Sequence, residues 1–158
     1  MIQIYSFQET SPNAAGTVAS SQPVKGSLGG PGVASDLSQW SALNIEANLV
    51  GATGGTLDVF IQYNPSGDRV TWFDYGHFAQ LAAGAASARF VASVAIGAQN
   101  TTLATIGTNL NPLLAAGTIP GGAWGDAFRL VFVAGAGTTA GAPVAINIVG
   151  QRTDVWPR

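Results

Sequence analysis

Residues able to do chemistry are scarce in this chain: one histidine, eight carboxylates and no cysteine. His77 follows Asp74 closely and shares with it, and with Ser66, the stretch 56–80. A nucleophile, a base and a carboxylate are the parts of an acyl-transfer set, but such parts meet in space rather than in sequence. No GxSxG turn is present to lift a serine out of a strand. The expectation is therefore that His77 is a polar residue closing a loop. Glu46, Asp58, Asp74 and Asp126 are the candidates for paired carboxyls of a glycoside hydrolase, which stand about 5 to 9.5 Å apart across a cleft. Glu46 and Asp58 fall on the polar faces of strands read as neighbours, so this pair could approach. Solvated strand acids, or acids paired with Arg89 or Arg129, explain them more simply.

Metal chemistry has less to work with. One histidine and no cysteine exclude ordinary zinc sites. Asn64, Ser66 and Asp68 offer a calcium ion one carboxylate among three residues, far from the acid density that binds it well. No GxxxxGK[ST] exists for phosphates, and the glycines of 26–32 are interrupted by Pro31 without strand-to-helix context. The reading is a non-enzymatic protein with no catalytic, cofactor-binding or metal residue.

Aromatic side chains are the remaining resource. Trp72, Phe73, Tyr75 and Trp124 would make a stacking platform for a sugar, with Trp72 and Tyr75 the candidate glycan contacts. Against this, a sandwich of this size needs large residues between its sheets, and Trp72 then points inward. Nucleic acid would want aromatics interleaved with basic residues. Here they surround Arg69 in a chain of net charge -2, so neither nucleic acid nor an anionic membrane is an expected partner.

The elements that position these residues read as strands. In 56–80 the apolar residues Leu57, Val59, Ile61 and Tyr63 fall at every second position, the period of a half-buried strand. Asn64, Pro65, Ser66, Gly67 and Asp68 supply turn chemistry. Val70, Trp72, Phe73, Tyr75 and Phe78 then bring an apolar load that needs a core or a partner. Before this hairpin, Leu43, Ile45, Ala47 and Leu49 alternate with Asn44, Glu46 and Asn48. After it, Phe90, Ala92, Val94 and Ile96 oppose Arg89, Val91 and Ser93. Near the end, Phe128, Leu130 and Phe132 oppose Arg129, Val131 and Val133, and Val144, Ile146 and Ile148 oppose Asn147. Residues 99–108 read as a weak edge strand and 109–125 as a long excursion. About seven to eight short strands with turn signals between them predict a single all-β domain, a β-sandwich or jelly roll. No internal repeat with a period of about 20 to 50 residues argues for a propeller or solenoid.

Organisation follows composition. Residues 1–36, rich in Gly, Pro and Ser, are expected to be an extended N-terminal arm in which Ile2, Ile4 and Tyr5 could start a short strand, 37–152 the sandwich, and 153–158 a C-terminal tail. The 158 residues suffice for one core that buries roughly 70% of the unfolded surface. The charged fraction is 9%, against about 25% in a typical soluble domain, while 47% of residues are hydrophobic. Two explanations stay open: a surface that spends its life against neighbours, or a Thr, Ser, Asn, Gln and Ala surface that stays dispersed without charge. Partner contacts are expected from Ile2, Ile4, Tyr5 and Phe7 in the arm, Trp124 in the excursion and Trp156 in the tail. No signal peptide or membrane span is evident, so synthesis in a cytoplasm is expected.

Residues 58–80 also carry a resemblance. Ile61-Gln62-Tyr63, the turn Asn64-Pro65-Ser66-Gly67-Asp68, then Thr71-Trp72-Phe73-Asp74 and Phe78-Ala79-Gln80, resemble a pattern in tailed-bacteriophage virion proteins. The Ala88-Arg89-Phe90-Val91 and Phe128-Arg129-Leu130 strands fit the same picture. About half the chain is covered. The resemblance implies a β-sandwich or jelly-roll module on the outside of a phage head, a decoration or cement protein. Its partners would be the major capsid protein and neighbouring copies, in a homotrimer, without cofactor. A tail or fibre-associated module and a carbohydrate-binding module are the alternatives. Residues 66–72 also resemble the Asp-box of sialidases, Ser-x-Asp-x-Gly-x-Thr-Trp, one residue short and without the glycine. That motif is a hairpin device and says little about activity.

Overall fold

The computed structural model describes residues 2–10, 16–19, 40–49, 54–65, 68, 70–84, 88–95, 105, 107–120, 125, 127–137 and 143–151. Eight strands are found there: β1 (Ile2–Thr10), β2 (Gly16–Ala19), β3 (Ala42–Leu49), β4 (Leu57–Asn64), β5 (Phe73–His77), β6 (Ala88–Ala95), β7 (Ala127–Ala134) and β8 (Pro143–Gln151). They form two four-stranded sheets, ordered β1-β8-β3-β6 and β2-β7-β4-β5. Every pairing is antiparallel.

The topology follows from one nested scheme. β1 pairs β8, β2 pairs β7, β3 pairs β6 and β4 pairs β5. The chain is thus one long hairpin rolled over on itself, with β3–β8 and β4–β7 pairings closing the two sheets. This is a jelly roll. Its tip is the β4–β5 hairpin, the stretch whose alternation and turn residues are the plainest in the sequence.

Alternation decides which face each strand buries. Leu43, Ile45, Ala47, Ile146 and Ile148 point inward from the first sheet, and Leu57, Val59, Ile61, Phe128, Leu130 and Phe132 from the second; all are buried in one cluster. Tyr75 joins it, with ring centroids 5.1 Å from Phe128 and 5.7 Å from Tyr63. Phe78 stacks on Phe90 of the opposite sheet at 5.7 Å. Across the closing pairs, Ile45 faces Ile148 and Ile61 faces Leu130.

The strand expectations hold for β3, β4, β6, β7 and β8, with bounds shifted by a residue or two. Two findings differ. Residues 2–10 and 16–19, expected within an arm, are laid into the sheets as edge strands, with Phe7 opposite Ile146 and Val18 opposite Phe132. Alternation in 2–10 is broken by a bulge between Gln3 and Tyr5, which hides the period from a sequence reading. Val70 is not in the returning strand: it stands in the turn, 73% exposed, and β5 begins only at Phe73. Of the weak edge strand expected at 99–108, Thr108 makes an isolated bridge to Phe73; residues 99–104 and 106 lie outside the described residues.

Candidate functional site

A second, smaller core lies on the outer face of β2-β7-β4-β5. β4 carries Asp58, Phe60, Gln62 and Asn64 on that face, in register with Val133, Val131, Arg129 and Ala127 of β7. Such a face normally meets water. Instead Phe60, Val131 and Leu114 pack together, with Val133 beside them. Leu114 comes from residues 107–119, which join the end of the expected edge strand to most of the expected excursion 109–125, so this segment forms a third layer over the sheet.

Buried polar side chains hold that layer in place. Asp74, 1% exposed, accepts backbone N–H bonds through Oδ2 from Gly107 (2.8 Å), Leu113 (2.7 Å) and Leu114 (3.0 Å). Its Oδ1 accepts from Gln62 Nε2 at 3.0 Å. Gln62 Nε2 also donates to the Asn109 carbonyl at 2.6 Å. Its Oε1 accepts from Arg129 Nε at 3.0 Å and Nη2 at 2.8 Å. Arg129 lies 4.8 Å over the Trp72 ring, and burial pulls its guanidinium down from the ordinary value. Asn109 takes the left-handed conformation, φ 52°, which Asn tolerates better than most residues. There its side-chain oxygen accepts from Trp72 N at 3.1 Å, while its own N–H donates to the Trp72 carbonyl at 2.9 Å.

The far end of the layer is fixed by His77. Its backbone N–H donates to Thr118 O at 2.9 Å and its carbonyl accepts from Gly117 at 2.8 Å. Its ring stacks on Phe60 with centroids 3.7 Å apart. Nδ1 lies 2.7 Å from Leu114 O, and Nε2 lies 2.9 Å from Asp58 Oδ1. Asp58 Oδ2 accepts from Gln80 Nε2 at 2.7 Å. Burial pushes the Asp58 carboxyl up, but hydrogen bonds from His77 and Gln80 and the charge of His77 prevail and leave it below its ordinary value. Gly107 completes the seat: a Cβ there would fall on the backbone of Asn111, Pro112 and Leu113.

These bonds hold residues 107–119 against the sheet. His77 does close a loop, and it bonds Asp58 rather than Asp74; Ser66 lies outside the described residues. Glu46 and Asp58 do not approach. β3 and β4 are consecutive in sequence, but the roll puts them in different sheets, so the two acids stand on opposite outer faces. Asp68 is also used structurally, its Oδ1 accepting from Asn64 Nδ2 (2.8 Å), Val70 N (2.8 Å) and Thr71 N (3.1 Å). No group of three His, Cys, Asp or Glu residues suited to a metal occurs among the described residues.

The sugar platform is corrected too. Trp72 and Tyr75 are each 2% exposed, Trp72 beneath Arg129 and Tyr75 in the main core, where burial pushes its phenol above its ordinary value. Neither offers a ring face to a sugar. Of the expected partner contacts, Ile2, Ile4, Tyr5 and Phe7 lie in β1 beside β8, while Trp124 and Trp156 lie outside the described residues. On the other outer face, a cleft of about 190 Å³ runs between Glu46, Asn48, Arg89, Val91 and Asn147, with Ser93 bonded to Asn44 at 2.8 Å nearby.

Gln62, Asn109 and Leu114 went unnoticed in the sequence. One signal for them was there: Phe60 breaks the polar face of β4, and its neighbours Gln62 and Asn64 are amides, which tolerate burial when bonded. A covered outer face was legible in that detail.

No protein-family model matches the chain, and the comparison with curated proteins found no match. A solved structure to which the chain is similar is an electron cryo-microscopy structure of the empty virus-like particle of Cowpea Mosaic Virus. Identity is 14% and the TM-score 0.45, over 100% of this chain and 88% of that one.

Proposed function

We propose that the chain is a non-enzymatic structural protein of a virus particle, a decoration or cement protein on the exterior of a phage head. The observation that carries this reading is the use made of the clustered polar side chains. Asp74, Gln62, His77 and Asp58 bond one another and the 107–119 layer, holding that layer against the sheet with Leu110 and Leu113 52% and 54% exposed. Polar chemistry spent on holding a shape suits a protein that works by contact area. The 9% charged fraction and the resemblance of residues 58–80 to phage virion proteins support the same role.

In this reading the major capsid protein and neighbouring copies, three to an assembly, are the partners, and the chain is made in the host cytoplasm. Many weak contacts on a repeating shell give avidity without a large individual interface. Within the expected arm, Ile2–Thr10 and Gly16–Ala19 are sheet edges, so the proposal assigns particle contact to residues 20–36 and to the tail, 153–158. The test is to image particles purified with and without the protein. Density over capsomer joints that appears only with the protein is the expected result; a chain absent from purified particles overturns the reading.

A further inference from the structure

We infer that the 107–119 layer is fastened by a pH-sensitive latch, in which one proton shared among His77, Asp58 and the Leu114 carbonyl keeps the layer closed and its loss lets the layer lift. The inference goes beyond the proposed function and does not depend on it.

The latch consists of two contacts made by one ring. Nδ1 of His77 faces the Leu114 carbonyl at 2.7 Å, and Nε2 faces Asp58 Oδ1 at 2.9 Å. A carbonyl oxygen only accepts, and so does an ionised carboxylate, whereas a neutral imidazole carries a single N–H. The two contacts therefore call for two hydrogens, and a neutral ring beside an ionised Asp58 supplies one. That one stays on Nε2, because a bond to a carboxylate is about twice as strong as one to a neutral carbonyl. Nδ1 is then left with a lone pair against Leu114 O. The ring is stacked on Phe60 with centroids 3.7 Å apart, and Asp58 is held on its other side by Gln80. The repulsion accordingly falls on the Leu114 peptide, the side of the latch that belongs to the layer.

The groups around the ring bear on the same proton. Asp58 comes from β4 and Asp74 from β5, and Asp74 binds the N–H of the same Leu114 whose carbonyl meets His77. β7 brings Val131 and Val133 to this corner, while its Arg129 stands opposite Gln62 and is bonded to it. The layer adds no charge, since residues 107–119 contain no Asp, Glu, Lys, Arg or His. Burial opposes a charge on the ring, and the two carboxylates favour one. Phe60, Val131 and Leu114 pack together beneath the layer, so lifting it bares an apolar strip along β4 and β7. The closed layer holds one proton more than the open one. Closure is thus complete on the acid side of the ring's titration and weakens about tenfold for each pH unit above it.

His77 is the only histidine, so its ring signals in a magnetic resonance spectrum are unambiguous. The intact chain is titrated upward from about pH 5, below the ordinary imidazole value of about 6.5, until the ring has lost its second hydrogen. Ring nitrogen shifts are followed together with hydrogen-exchange protection at Leu114, Gly117 and Thr118, taken relative to the free-peptide rate at each pH. The expected result is a hydrogen on both ring nitrogens while the layer is protected, then a tenfold fall in protection per pH unit once one is lost. Asp58→Asn separates the latch from a merely structural contact. Its amide can accept from Gln80 and donate to Nε2, so a neutral ring with its hydrogen on Nδ1 makes both contacts. Protection in this variant should no longer depend on the state of the ring, with circular dichroism confirming the fold. A ring with one hydrogen under a protected layer, protection that ignores the ring's titration, or an Asp58→Asn slope equal to that of the parent chain overturns the latch.

Discussion

Asp74 accepts four hydrogen bonds with 1% of its surface exposed, three of them from one loop, and no neutral side chain of its shape can do the same. In Asp74→Asn the amide NH2 must face either the three loop N–H groups or Gln62 Nε2. Flipping Gln62 to relieve the second clash turns its NH2 toward Arg129. A donor is left facing a donor in every arrangement. The expected cost is about 2–3 kcal/mol, the range for a buried charged acceptor that loses its bonds. Denaturant melts should show it, and hydrogen exchange should show lost protection at residues 107–114; unchanged protection there would show that Asp74 does not hold the layer. Asp58 gives a pH prediction. Its carboxyl is held below the ordinary value of 3.8, so the folded state binds its proton less readily than the unfolded chain. The stabilisation is complete above that value and is lost as pH falls through the lower folded-state value. Asp58→Asn should flatten the loss of stability on the acid side, measured from about pH 5 to about pH 2. The chemistry-bearing residues were visible in sequence, but their partners were not. His77 meets Asp58 across the bent β4–β5 pair, a contact set by register and a bulge that spacing does not reveal.

At the scale of elements, the strands with unbroken alternation were legible because one face meets a core and the other meets water or amides. β1 was legible only at its start, Ile2, Ile4 and Tyr5, since its bulge shifts the period, and β2 is too short to show one. The third layer shows no period in the sequence, and its hydrogen bonds go to backbone and side-chain groups of residues 62–77 rather than along a strand of its own. Gly107 marks how tightly it sits. Gly107→Ala pushes the backbone of Asn111–Leu113 off the sheet, which should expose Phe60 and speed hydrogen exchange at His77 and Leu114. The expected destabilisation is about 1–3 kcal/mol, typical of overpacking. The finding that β1 and β2 belong to the sheets changes what removing the N-terminus tests. Deleting residues 1–19 strips one edge strand from each sheet and bares β8 and β7 as edges. The expected outcome is aggregation or loss of the cooperative thermal transition; a sharp transition near the full-length value would show these strands to be dispensable.

At the scale of the whole molecule, the scarcity of charge becomes interpretable. The jelly roll buries the inward faces of two sheets, and the third layer buries much of a third face, so apolar and amide residues fill positions that charged residues hold in other sandwiches. Residues 107–119 themselves bear no charge, and Leu110 and Leu113 among them are each about half exposed. In the proposed assembly of copies, contact between surfaces so poor in charge has a physical signature distinct from one driven by ion pairs. Charge–charge contacts between copies weaken as salt shortens the Debye length from about 30 Å at 0.01 M to about 8 Å at 0.15 M. Apolar burial does not weaken this way: it strengthens with sulfate and fades on cooling. Sedimentation of the intact chain at high concentration should therefore give the same association constant from low to moderate sodium chloride. The constant should rise in sodium sulfate and fall toward 0 °C. A constant that drops steeply with sodium chloride would put the contact on the face that bears Glu46 and Arg89.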